Sequence, residues 1–146
     1  MQQLNLPPYE HKIIEKGAKK YIYDVVRRRY IVLTPEEWVR QNFLLYLVRE
    51  KNYPMALMAV EKQLDINGKL FRFDLVVYRR DGNPLLIAEF KAPGIKVSQL
   101  AFDQVVRYNM ALKVERVVVS NGLQHYICEI NYAENNYKYL KEIPEY

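Results

Sequence analysis

Two hydrophobic periods alternate along the chain. From Leu70 to Tyr78 and from Leu85 to Phe90 the residues are mostly apolar, and Asp81-Gly82-Asn83-Pro84 lies between the runs. Two such runs around a turn signal predict an antiparallel β-hairpin. Upstream, Leu57 to Asp65 reads as a further strand, joined to the Leu70 strand by the tight-turn pair Asn67-Gly68. Helical spacing holds elsewhere. Trp38, Phe43, Leu44, Leu47 and Val48 form an apolar stripe that runs to Glu50, and Asn52-Tyr53-Pro54 ends it. Thr34-Pro35-Glu36-Glu37 opens that helix. Thr34 caps, Pro35 fits the first helical position, and the two acids complement the positive helix end. Thr34 and Glu37 also have capping-box spacing. Ser98 caps a second helix that reaches Leu112, with Leu100, Val105, Tyr108 and Leu112 partly on one face. Arg116 to Ser120, centred on three valines, predicts a buried strand. Asn121-Gly122 then turns the chain, and His125 to Ile130 returns.

The ends carry less pattern. Residues 1–23 are expected as an N-terminal arm, extended through Pro7-Pro8 and mixed from Ile13 onward, with room for a short strand or an ordered loop. Residues 24–130 are the core of a single domain. Residues 131–146 are a tail, irregular or a terminal helix. The order helix, three strands, helix, two strands predicts an α/β fold with a central mixed sheet of about four to five strands flanked by helices. The second helix is a crossover that sets the Val117 strand parallel to a hairpin strand.

Composition narrows the class. Half of the 146 residues are hydrophobic and 27% are charged, which is globular. No apolar run approaches the roughly 20 residues that span a bilayer. The first residues lack the basic-then-apolar order of a signal peptide, so a cytoplasmic protein without membrane partners is expected. Cys128 is the lone cysteine, which excludes an internal disulfide and a cysteine zinc cluster. The net charge of +5 permits a polyanionic partner. Arg27, Arg28 and Arg29 suit phosphate by guanidinium geometry, with a solvated face as the alternative.

The candidate chemistry lies in the hairpin. Positions i and i+2 of a strand share a face, so Glu89 and Lys91 project together and Phe90 points the other way. Asp74 sits among apolar residues in the partner strand. Charges in such strands are costly unless they pair, bind a metal or face a cleft. A structural ion pair and a satisfied carboxylate are the alternative.

The spacing of these residues resembles a family. Asp74, fourteen intervening residues and Glu89-Phe90-Lys91 look like the motif of the PD-(D/E)XK nuclease superfamily, with Phe73 where the motif has proline. Gln104 and Tyr108 are similar to the Gln-x-x-x-Tyr element of its exonuclease branch. Leu33 to Gln41, the Asp74 strand, Ala88 to Pro93, Gln104 to Asn109 and Ser120-Asn121-Gly122 together resemble the N-terminal nuclease domain of type I restriction enzyme motor subunits. The likeness spans Asp24 to Tyr126. It implies a restriction-endonuclease-like fold and a Mg²⁺- or Mn²⁺-dependent endonuclease acting on DNA in a restriction or defence system. Asp74, Glu89 and the Phe90 backbone carbonyl would be the metal ligands. Lys91 would orient or help deprotonate the attacking water. Glu36 or Glu37 would reach the metal directly or through water, and Gln104 would hold the water or the DNA. Arg27, Arg28, Arg29, Lys96 and Tyr108 are the candidate DNA contacts. The family's domain works beside a translocating motor, and these residues hold no Walker-type glycine loop. A separate motor or specificity subunit, or self-association, is therefore an expected partnership. A nuclease-fold protein without catalysis, serving as a DNA-binding or assembly subunit, is the alternative.

Overall fold

The computed structural model describes residues 1–146. A three-stranded antiparallel sheet comes first, from β1 (Ile13–Lys16), β2 (Lys19–Asp24) and β3 (Arg29–Val32). Helix α1 (Pro35–Lys51) follows. A six-stranded sheet then runs in the order β4 (Met58–Ile66), β5 (Lys69–Tyr78), β6 (Pro84–Phe90), β7 (Arg116–Ser120), β8 (His125–Asn131) and β9 (Asn136–Leu140). Helix α2 (Gln99–Leu112) crosses between β6 and β7, which pair in parallel, while the other neighbours pair antiparallel.

Local chemistry accounts for most of these boundaries. Asn67 and Gly68 take φ of 53° and 83°, as a type I′ turn requires of both central residues. The Thr34 hydroxyl accepts the Glu37 N–H at 3.0 Å, and Ser98 accepts that of Ala101 at 3.1 Å. The expected capping box is only half made, because the Glu37 side chain is drawn to Arg27, Arg40 and Gln41 instead.

Both chain ends differ from expectation. The N-terminal arm is irregular only as far as Lys12, since residues 13–24 are two strands. The tail supplies β9 and buries Ile143. The main sheet therefore has six strands rather than four or five.

The sheet buries both faces. Leu75, Val77, Leu86, Ala88 and Val118 pack with Val39, Phe43, Leu44 and Leu47 of α1. On the other face Val117, Val119 and Cys128 pack with Phe102 and Val106 of α2. Alternate residues of β7 thus serve opposite helices, the pattern of a strand buried on both sides.

The N-terminal arm is anchored at Gly122. Asn5 donates its N–H to the Gly122 carbonyl at 2.8 Å, and Leu4 is nearly buried. Gly122 has φ of +84°, and a Cβ there would lie 2.7 Å from Leu4 Cδ2 and 3.0 Å from Val39 Cγ2. Gly122→Ala is expected to destabilise the fold by about 1–3 kcal/mol, through left-handed backbone strain and overpacking. Urea denaturation checks this, and a loss well under 1 kcal/mol would mean that Leu4 yields freely.

Candidate active site

Strand β5 parts from β6 early. Their ladder runs from Tyr78 opposite Pro84 to Leu75 opposite Ala88, and stops there. The Phe90 N–H is met by a side chain instead: Asp74 Oδ2 accepts it at 2.7 Å. The N–H and C=O of one strand residue point to the same edge, so the Phe90 carbonyl also faces the gap beside Asp74. Lys91 continues toward β7, donating its N–H to the Ser120 carbonyl at 2.9 Å.

A break in the strand alternation shapes the gap. Leu75 and Val77 pack toward α1, and Val76 packs in a cluster on the other side. Strict alternation would send Phe73 with Leu75, yet it packs with Val76. The alternation slips by one residue at Asp74. The β4–β5 ladder pairs Val60 with Leu75 and Lys62 with Phe73 but skips Glu61 and Asp74, and Glu61 has φ of 54°. The irregularity takes one residue from each strand, so it re-aims side chains without shifting the register.

Glu89 and Lys91 share a face, as expected, and Phe90 turns the opposite way, its ring centroid 5.2 Å from that of Phe43. With Gln104 and Tyr108 of α2 and Phe71 of β5, Glu89 and Lys91 line a cleft of about 260 Å³. Burial, and next the Asp74 charge, push the Glu89 carboxyl up from 4.5 to about 8. At neutral pH it therefore holds a proton. Glu36 lies near Asp74 and Lys91 and is also raised, first by burial and then by Asp74.

Behind the gap lies a buried ion network. The Arg40 guanidinium, 4% exposed, stands 3.4 Å from Asp74 Oδ1, 3.3 Å from Glu37, 3.5 Å from Glu61 and 3.6 Å from Glu36. Its Nε is buried without a partner. Arg27 makes tighter pairs, at 2.6 Å to Asp24, 2.8 Å to Glu37 and 3.2 Å to Glu61. Burial alone would raise Asp24, but the backbone and guanidinium of Arg27 outweigh it and hold Asp24 below its ordinary range. Burial works the same way on Glu61, and Arg72, Arg40 and Arg27 overcome it.

Residues 35–144 match the family described as the type I restriction enzyme R protein N terminus. The chain belongs to this family. A solved fragment described as an HsdR subunit of a type I restriction enzyme, from Vibrio vulnificus YJ016, has a similar fold, with a TM-score of 0.52 at 19% identity. That match covers 77% of this chain and 24% of the other, so the chain spans about a quarter of that protein's length. No curated protein matches the chain.

In this family member the expected residues divide into groups. Asp74, Glu89, Lys91 and the Phe90 carbonyl gather at the splayed strand ends, with Glu36 beside them. Gln104 and Tyr108 reach the same cleft as Glu89 and Lys91. Glu37 is buried one layer back, spent on Arg27, Arg40 and Gln41. Arg27 departs from its expected DNA contact, because its guanidinium is occupied by three carboxylates. Arg28, Arg29 and Lys96 are exposed, and none of them lines the cleft. The sequence reading passed over Asp24 and Arg40. For Arg40 a signal existed: it follows Glu36 by four residues and Glu37 by three, the helical spacings of ion pairs.

Proposed function

We propose that the chain is a metal-dependent nuclease module with a restriction-endonuclease-like fold, hydrolysing DNA phosphodiester bonds as part of a restriction system. One observation carries the reading: Asp74, Glu89 and Lys91 converge where β5 and β6 separate, beside an open cleft. The donor chemistry fits Mg²⁺ or Mn²⁺, hard ions that take oxygen ligands. No three His, Cys, Asp or Glu side chains gather into a metal-holding group, so the Phe90 carbonyl would join Asp74 and Glu89 as the third protein ligand. Charge supports the fit. Asp24, Glu36, Glu37, Glu61 and Asp74 face Arg27, Arg40, Arg72 and Lys91, one cation short of balance, and ionisation of Glu89 leaves the group two cations short.

A bound divalent ion would polarise a phosphoryl oxygen and lower the pKa of a water. The chain's own residues do the rest. Asp74 is held in place by the Phe90 N–H and Arg40. Lys91 offsets charge that grows on the phosphate and orients the attacking water. Gln104, which lines the cleft, would hold that water or the DNA. The family's R proteins belong to multi-subunit enzymes, and a motor and a specificity subunit are the partners this reading proposes.

Calorimetry with Mn²⁺ tests the site. Binding is expected in the unmodified chain and is expected to vanish in both Asp74→Ala and Glu89→Ala. Because Glu89 must lose a proton, affinity should fall as pH drops below about 8. The fall should approach about tenfold per pH unit. Binding that persists in either variant, or that ignores pH, would sink the ligand assignment. Absence of both metal binding and plasmid nicking would leave the catalytically silent DNA-binding or assembly subunit.

A further inference from the structure

The cleft beside Glu89 has a second wall that hydrolysis of a phosphate does not require. Beyond Leu75, strand β5 pairs only with β4, so Lys69 to Phe73 belong to a two-stranded ribbon that leaves the sheet. Phe71 on this ribbon meets Tyr108 on α2, ring centroids 4.9 Å apart and planes tilted by 40°. Tyr108 remains 45% exposed. Lys69 Nζ stands 5.3 Å from the Phe71 centroid. Arg72 is already paired with Glu61 at 2.7 Å, and Lys91 is the further cation lining the cleft.

We infer that this aromatic wall is a stacking subsite for an unpaired nucleobase, and that the chain takes single-stranded or locally opened DNA at its cutting site. The inference rests on the nuclease reading and adds the form of the substrate. An intact duplex keeps its base faces stacked on one another and offers only edges and phosphates, so an exposed ring has no use for it. An unpaired base presents a free π-face that any aromatic ring accepts without regard to sequence. The cleft, at about 260 Å³, is just under the roughly 300 Å³ at which small-molecule sites begin. It has room for one heterocycle. Gln104 supplies an amide at the base edge, and Glu89 and Lys91 line the same cleft where the adjoining phosphate would pass.

Fluorescence anisotropy tests this with a labelled single-stranded oligodeoxynucleotide and the blunt duplex of the same sequence, both in Ca²⁺ so that cutting does not interfere. Tyr108→Ala should weaken single-strand binding by about tenfold or more. Tyr108→Phe, which keeps the ring, should bind as the unmodified chain does, and Tyr108→Ala should weaken duplex binding far less than single-strand binding. One abasic position in the strand should reproduce the loss with unmodified protein, which makes the result independent of any folding defect. Unchanged single-strand affinity in Tyr108→Ala would overturn the subsite, as would equal weakening on strand and duplex. The readout involves no cleavage, so the nuclease reading stands or falls separately, by nicking and by Mn²⁺ binding.

Discussion

Lys91→Ala is expected to lower plasmid nicking by about 10²–10⁴ while leaving Mn²⁺ affinity intact. The separation of the two effects follows from position. Lys91 shares a strand face with Glu89 but is not an oxygen donor, so it contributes to the reacting phosphate and not to metal capture. Its ammonium is exposed, and the backbone bond from its N–H to Ser120 does not depend on the side chain. The variant should therefore fold as well as the parent. Supercoiled plasmid with Mg²⁺ or Mn²⁺ reports the rate, and calorimetry reports the metal. Equal cutting by both proteins would leave a nuclease with a different mechanism. Loss of metal binding along with cutting would mean that Lys91 acts by holding Glu89 or Asp74 in place.

The elements that the sequence reveals are those whose signals are local. Asn67-Gly68 dictates its turn through backbone conformation, and Thr34 and Ser98 each cap within four residues. The valine-rich strand β7 is legible because both of its faces are buried. Strands β1 and β3 have mostly exposed residues, so no alternation marks them, and β9 likewise shows five residues with little burial. Their pairing is a property of backbone and neighbours rather than of pattern. In the site, Glu89 and Lys91 follow from strand geometry alone. The break at Asp74 does not, because Leu70 to Tyr78 reads as one unbroken run and the break also takes in Glu61 on the neighbouring strand. The fate of Arg27 was equally hidden. A triple arginine looks like a solvated or phosphate-binding face, and only the fold brings Asp24, Glu37 and Glu61 around the first of the three.

Arg40 carries the other large effect. Arg40→Ala is expected to cost about 3–5 kcal/mol, the range seen when one partner of a buried ion pair is removed. The reason is what remains behind. Glu37 is buried and Asp74 is partly so, and Arg40 is a counter-ion to both, reaching Glu61 and Glu36 as well. The pairs are long, from 3.3 to 3.6 Å, so no single bond is strong. The cost comes from stranded charge and not from lost contacts. Two consequences distinguish this from simple cavity formation. First, carboxylates left without a counter-ion gain protons in acid. The folded variant then binds more protons than its unfolded chain, so its stability rises as pH falls and the gap to the parent narrows. A cavity would leave the gap constant. Second, Arg40→Lys keeps a charge but not the planar fork that reaches several carboxylates at once, so it should recover only part of the loss. Urea denaturation at neutral pH and again in the carboxylate range measures both. A gap below about 1 kcal/mol at neutral pH would show that solvent already screens these charges. A gap that does not move with pH would show that packing of the Arg40 side chain, and not its charge, holds α1 against the site.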